Sequence, residues 1–493
     1  MNLPFFLLLA LPVIGAASVL VVKKASQALL VTLLAAVMTS LASLYLGALV
    51  VRLEVIEGLD GFFRADSFSV WHLILLTTAV FLPSTGYAYR YFEKGTSIDL
   101  IYAKRFGLLW LGALAAMSLA LVTGNIGIMW VAIEASTLFT AFLIFRNGNA
   151  ASVEAMWKYI MMCSVGVALA FIGTLLMAAA GQQAGLEGGD NLLIHKIYEV
   201  RASLKPNLAL TAFIFILIGY GTKAGLAPMH NWLPDAHSQA PGPVSAMFSG
   251  FLLNTALYCI LRFFPIVADE RVAGVKARDL LMVFAILSIV IASVFIFFQK
   301  DAKRMLAYCS VEHMGIIAFA YSLGPIGAAA GLFHTLNHSL AKTASFFSAA
   351  SLGRNLHTNA LSAFTGALRQ YPLYALGFAG SMLALIGVAP FSIFISEFML
   401  VSAAAETSQY LALALFLGAT SVVFLVMLKH SIAIVWGKAQ AVETRHQITL
   451  KSAGIESLII MLPLLILAVL GVWKPLYLSR FIEMASAALW SMK

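Results

Sequence analysis

The chain has 493 residues, 61% hydrophobic and 11% charged, with a mean hydropathy of +0.93. Soluble domains carry about 25% charged residues, so this composition excludes a soluble enzyme and implies a polytopic membrane protein. The formal net charge of +9 is not a nucleic-acid signature, because the Lys and Arg lie in short loops between apolar runs, where such residues set membrane orientation.

A membrane helix needs roughly 20 apolar residues, and about 14 such runs follow one another, near 3–22, 27–51, 67–89, 105–122, 125–145, 156–180, 207–235, 243–265, 279–299, 303–323, 326–352, 373–400, 409–436 and 454–474. The expected fold class is therefore an all-α polytopic bundle. Met1-Asn-Leu-Pro-Phe-Phe lacks a basic leader, so the first run reads as a retained span and not a cleaved signal. The insert Gly181 to Pro206 carries Glu187, Asp190, His195, Lys196, Glu199 and Arg201 and reads as a solvated loop with one surface helix. Lys and Arg in alternate loops favour a cytoplasmic side holding Lys23, Arg90, Lys104, Lys158, Lys303, Arg354 and Arg445, which places both termini on the outer face. Cys163, Cys259 and Cys309 are far apart and inside apolar runs. No iron–sulfur cluster, haem or structural zinc is expected in this chain.

The seventh run holds Gly219-Tyr-Gly-Thr-Lys223-Ala-Gly225-Leu-Ala-Pro228-Met-His230-Asn-Trp-Leu-Pro234-Asp-Ala-His237. Glycine and proline there break a helix, and a broken helix at membrane depth must line protein, water or an ion. Gly225-Leu-Ala-Pro228 recurs as Gly387-Val-Ala-Pro390 in the twelfth run. If runs 4–8 and 9–13 are two five-helix units, each copy falls on the fourth helix of its unit and the units start on opposite sides. That is the inverted-repeat plan of secondary transporters. The expected division is 1–103, the first three helices; 104–270, the first repeat; 271–440, the inverted second repeat; and 441–493, the last helix and a short tail.

Ionisable residues sit inside the spans: Glu134, Lys223, Glu312 and His313, then His334, His338 and Lys342, then Glu397, Lys429 and His430. His334, His338 and Lys342 are spaced i, i+4, i+8, which stacks them on one helix face. Carboxylate, ammonium and imidazole can each pass a proton when burial and a neighbour bring the pKa towards neutrality. A Glu beside a buried Lys would hold it charged, and moving that Glu away would release the proton. A buried Glu–Lys pair also serves simply to neutralise itself or fix register, but six or more ionisable groups in one bundle point to an ion path. His230 and His237 flank Pro234 and fit either a relay or the capping of backbone groups. Lys158, near a helix entrance, fits snorkelling. Metal binding by His334 and His338 is not expected, because no carboxylate shares their face.

Lys223 to Pro241, Asp301-Ala-Lys-Arg-Met-Leu-Ala-Tyr-Cys-Ser-Val-Glu312-His313-Met-Gly, Pro390-Phe-Ser-Ile-Phe-Ile-Ser-Glu397-Phe and Ser249-Gly-Phe-Leu-Leu-Asn254-Thr-Ala-Leu-Tyr together resemble a known family. It is that of the antiporter-like, proton-pumping membrane subunits of respiratory complex I, Mrp antiporters and group 4 membrane-bound nickel–iron hydrogenases. The likeness extends over essentially the whole chain and is nearest to hydrogenase-4 component F. It implies a relay of Glu134 and Lys223 at the entrance, His334, His338 and Lys342 at the centre and Glu397 at the exit, with Glu312, His230 and His237 as further candidates. Asn254 departs from the family pattern, standing where complex I relatives often carry Lys or His, so water would have to bridge there. The tail is too short for the long lateral helix of the largest complex I relative.

The resemblance implies a proton-translocating, non-catalytic subunit of a redox-driven complex in a prokaryotic cytoplasmic membrane. No cofactor is expected in this chain; a nickel–iron centre and iron–sulfur clusters are expected in partner subunits, with other membrane and peripheral subunits and lipid as neighbours. Alternatives are a sodium/proton antiporter subunit of the Mrp type, a subunit coupled to inorganic carbon uptake, and a scaffold whose ion path is broken at Asn254.

Overall fold

The computed structural model describes residues 2–95, 98–145, 149–269, 271–272, 274–438 and 450–492; Arg445, used above for orientation, lies outside them. The described chain is almost entirely helical. Eleven helices are long and apolar enough to cross a membrane. The tenth and eleventh runs, Ala302–Ser322 and Pro325–Asn355, are long helices too polar for that count, and the twelfth is split into Pro372–Leu385 and Ser392–Glu406. Length and composition alone therefore do not yield 14 crossings.

The polar tenth and eleventh helices are tolerated because they lie inside. The eighth run, Gly242–Val267, is buried along its whole length, as are nearly all of Ala302–Ser322 and most of Pro325–Asn355. The outer helices instead expose large apolar side chains such as Leu41, Val165, Phe398 and Leu425, the surface a lipid-facing helix presents.

Two short strands, β1 (Val55–Gly58) and β2 (Phe63–Asp66), form an antiparallel hairpin between the second and third runs. The hydropathy reading missed it, because four residues of alternation next to a long apolar run carry little signal. Asn2 Oδ1 accepts a hydrogen bond from Leu59 N at 3.0 Å, and Arg64 donates to Met492 O at 3.2 Å. Asn2 and Met492 thus both lie beside the hairpin. The short tail forms a helix of its own, Leu476–Ser491, that buries Ile482, Ala485 and Leu489. The insert is, as expected, a largely exposed loop holding one helix, Ile194–Glu199, but that helix is docked on the bundle. Ile194 N donates to Gly124 O at 2.9 Å, and His195 is only 7% exposed.

The seventh run folds as Pro206–Ala224 and Trp232–Gln239. Gly225, at φ +77°, ends the first piece, and Gly387, at φ +67°, ends the first piece of the twelfth run. Only glycine takes this left-handed conformation without steric cost. The freed backbone groups at the first break find partners: Trp232 Nε1 donates to Thr222 O and Ala227 N to Ser288 Oγ, each at 2.8 Å. This is how a mid-membrane break stays satisfied.

Candidate functional site

The first half of the site forms where the seventh run breaks. Lys223 occupies the last turn before Gly225 and is fully buried. Its Nζ donates to Ile133 O at 2.8 Å, Ser136 Oγ at 2.7 Å and Thr137 Oγ1 at 2.6 Å. Three acceptors match the three donors of an ammonium. All three belong to the fifth run, Ile126–Ile144, which also carries Glu134. Glu134 and Lys223 make no ion pair among the described residues. The carboxylate accepts from Ser164 Oγ at 3.2 Å, and its Oε2 is buried without a partner. Sequence reasoning missed Ser136 and Thr137. Their signal was the run Glu134-Ala-Ser-Thr, whose hydroxyls lie within one turn of the carboxylate.

The second half lies between the tenth, eleventh and twelfth runs. His313 Nδ1 and His334 Nε2 are 2.9 Å apart, and His334 Nδ1 is 3.0 Å from Ser396 Oγ. Ser396 Oγ donates its proton to Ile393 O at 2.9 Å. It must therefore accept from His334 Nδ1–H, which leaves His334 Nε2 to accept from His313 Nδ1–H in the neutral state. The result is an aligned hydrogen-bond chain across three helices. Asn337 braces it, donating to Ser392 O at 3.0 Å and Ser396 Oγ at 3.2 Å. Neither Asn337 nor Ser396 stood out in the sequence. Glu397 follows Ser396, and its carboxylate packs so tightly against Gly387 that a Cβ there would collide with Oε2.

His334, His338 and Lys342 are all buried, as their spacing predicts. The His338 ring lies 5.2 Å from that of His313, and neither of its nitrogens has a partner. Lys342 Nζ donates to Leu306 O at 2.9 Å. Although the eleventh helix offers no carboxylate, the tenth does. Cys309, Glu312 and His313 bring donor atoms within 4.8 Å of one another, while the Lys342 ammonium, reaching across from the eleventh helix to Leu306 O, opposes a divalent cation there. Glu312 Oε2 and His313 Nε2 are buried without partners.

The remaining candidates lie apart. His230 and His237 are buried; His230 lies beside the Pro228 backbone at the break, and neither ring nitrogen of His237 has a partner. His237 stacks on Phe346 at 4.8 Å. Lys158 pairs with Glu154 at 2.6 Å and Asp235 at 3.0 Å, and Asp235 also accepts from Arg304. Lys429 is exposed and His430 only half-buried, away from the buried row. Asn254, fully inside, donates to Gly250 O at 3.2 Å and leaves Oδ1 unpartnered.

One buried charge pair went unread in the sequence. Asp66 accepts from Arg262 through both oxygens at 2.6 and 2.7 Å, and Arg262 Nε donates to Tyr258 OH at 2.8 Å. Burial raises the Asp66 carboxyl, but Arg262, by charge and by hydrogen bond, outweighs it and holds the group below its ordinary value. Such bidentate geometry repays much of the desolvation of a buried pair.

Residues 123–424 match the sequence family described as NADH:quinone oxidoreductase/Mrp antiporter, transmembrane region. The hydrogenase-4 component F homolog of Methylacidiphilum infernorum (isolate V4) is 36% identical over 372 residues, 75% of this chain and 78% of that protein. Among solved structures, a chain of the membrane-bound sulfane sulfur reductase, an archaeal respiratory membrane complex, superposes with a TM-score of 0.87 at 24% identity. The match covers 99% of this chain and 98% of that one. A chain of the Mrp complex from Dietzia sp. DQ12-45-1b gives 0.86 at 22% identity, over 100% and 98% of the two chains. The two structures establish the shared fold, and the sequence match establishes the kinship. This chain belongs to the NADH:quinone oxidoreductase/Mrp antiporter transmembrane family, as an antiporter-like membrane subunit.

Proposed function

We propose that this subunit carries protons across a prokaryotic cytoplasmic membrane within a redox-driven complex of the hydrogenase-4 or formate-hydrogenlyase-like class. Both termini face outward in this reading. The electron carriers, a nickel–iron centre and iron–sulfur clusters, belong to partner subunits, and lipid surrounds the rest. A redox event in a partner shifts Glu134 relative to Lys223, the proton passes the His334, His338 and Lys342 row, and Glu397 releases it. The observation that carries this reading is the buried hydrogen-bond chain His313–His334–Ser396, which crosses three helices and reaches the residue before Glu397. Each imidazole takes a proton on one nitrogen and gives one from the other, so protons hop along the chain without moving the ring atoms, and the rings return to their starting tautomers before the next transfer.

The superposition on an Mrp subunit favours a second reading, sodium/proton exchange. Purification of the complex from native membranes tests the two. The first reading expects nickel and iron–sulfur subunits in the preparation, and proton pumping by reconstituted vesicles that is unchanged when sodium is replaced by choline. A preparation of membrane subunits alone, with transport that stops without sodium, supports the second and rules out the first.

A further inference from the structure

The hairpin face contains a polar route that the relay described above does not use. An open bowl of about 580 Å³ lies between the hairpin and the docked insert, lined by Glu57, Asp60, Arg64, Asp190, Lys196 and Glu199. Arg64 pairs with Glu57 and Lys196 with Glu199, leaving Asp60 and Asp190 outside these pairs. His195 and Arg64 line the bowl and also a second, smaller cavity, which reaches Asp66 and Arg262. That inner space measures about 10 Å³, close to the least volume that admits one water. His195 is 93% buried, and its Nδ1 has no hydrogen-bond partner. An unpaired polar nitrogen held between two cavities is costly unless water or a proton reaches it.

From the inner cavity, polar groups continue inward along the eighth run. Arg262, Tyr258 and Asn254 are spaced by four and so share one face of that helix. Ser69 Oγ lies 3.0 Å from Tyr258 OH. The His72 ring lies 5.2 Å from the Tyr258 ring. His72 Nδ1 is 2.8 Å from Phe68 O, an acceptor only, so Nδ1 carries hydrogen and Nε2 is the proton-accepting atom of the neutral ring. Asn254 lies deeper, with Oδ1 unpartnered, and donates to Gly250 O, which also accepts from Ser339 Oγ at 2.8 Å. Gly250 sits within the π-helical turn Phe248–Leu252, a local widening common at functional sites. Ser339 adjoins His338, whose two nitrogens are both unpartnered.

We propose that the bowl is the mouth of a second, water-borne proton branch, which runs past His195 and the Asp66–Arg262 pair and joins the histidine row at Asn254 and Ser339. The ligand is the proton, carried on water. Asn254 holds no charge, but its amide both donates and accepts, so it can orient a bridging water. A clamp fixing the hairpin to the bundle would explain Asp66 and Arg262. It would not explain the unpartnered His195 nitrogen above them or the unpartnered Asn254 oxygen below. The inference rests on the proton-carrying reading.

The test uses the intact complex, reconstituted in vesicles, with protons moved per electron as the readout. Asn254→Leu closes the point where the branch meets the main relay, so a loss of pumping in that variant does not separate the two. His195→Cys, assembled first and then labelled with a bulky membrane-impermeant thiol reagent from the hairpin face, plugs the branch without depending on folding. Cys163, Cys259 and Cys309 are buried, and the unmutated complex treated with the same reagent is the control. Labelling of His195→Cys, relative to the same variant unlabelled, is expected to lower pumping at least about tenfold while electron transfer continues. Unchanged pumping on labelling, with Lys223→Ala still abolishing it, overturns the branch and leaves the main relay standing. Unchanged pumping both on labelling and in Lys223→Ala overturns both.

Discussion

Lys223→Arg is expected to abolish coupled proton pumping while leaving the protein folded and the partner's electron transfer running. Lysine can shed its proton when its surroundings change; arginine cannot. The ammonium is held by three acceptors of the fifth run at 2.6 to 2.8 Å, and Glu134 on that run rests only on Ser164. A carboxylate so lightly held can swing, and a rigidly held lysine is the group whose proton its movement would control. Proton transfer by a positioned side chain is worth about 10² to 10⁴ in rate, so Lys223→Arg and Lys223→Ala should each lose at least about a hundredfold. The two variants separate causes: arginine keeps the charge and removes the exchange, while alanine removes both. Acidification of vesicles holding the reconstituted complex, recorded with the electron-transfer rate, is the measurement. Normal pumping with arginine at position 223 would mean that this site supplies charge and not protons.

Breaking the Asp66–Arg262 pair should produce the largest loss of stability. Removing one partner of a buried ion pair strands the other charge and costs about 3 to 5 kcal/mol. Arg262 is additionally flanked by the Phe68 and Tyr258 rings, at 5.1 and 5.0 Å, so its stem and plane are packed as well as paired. Asp66→Leu and Arg262→Leu should therefore each lower the melting temperature in detergent sharply. The double variant should recover most of the loss, since an apolar pair of similar volume is often as stable as the ions it replaces. The acid dependence follows from the depressed carboxyl. Its stabilisation is complete above the ordinary carboxylate value of about 3.9 and is lost as pH falls through the still lower value of the folded protein. A double variant as unstable as either single one would show that shape, not charge pairing, matters here.

The bundle was legible because its signals are local. Long apolar runs declare helices. Gly225 and Pro228, echoed by Gly387 and Pro390, declare breaks. The i, i+4, i+8 spacing of His334, His338 and Lys342 declares one buried face. What escaped was set by contacts remote in sequence. Asp66 and Arg262 stand 196 positions apart, each at the edge of an apolar run where a charge attracts no notice. Ser396 and Asn337 are common residues whose importance appears only when the eleventh and twelfth runs touch. The hairpin and the Leu476–Ser491 helix escaped because hydropathy registers spans and not the short elements that seal their ends.

In the proposed function, Lys223, the paired histidines and Glu397 belong to one hydrated line through an apolar bundle. The decisive experiment is a cryo-electron-microscopy map of the intact complex, sharp enough to show ordered water. Waters are expected to link Lys223 to His338 past Asn254, and the His334–Ser396 pair to Glu397. Dry side-chain packing in either gap, in both the oxidised and the reduced complex, would rule the line out.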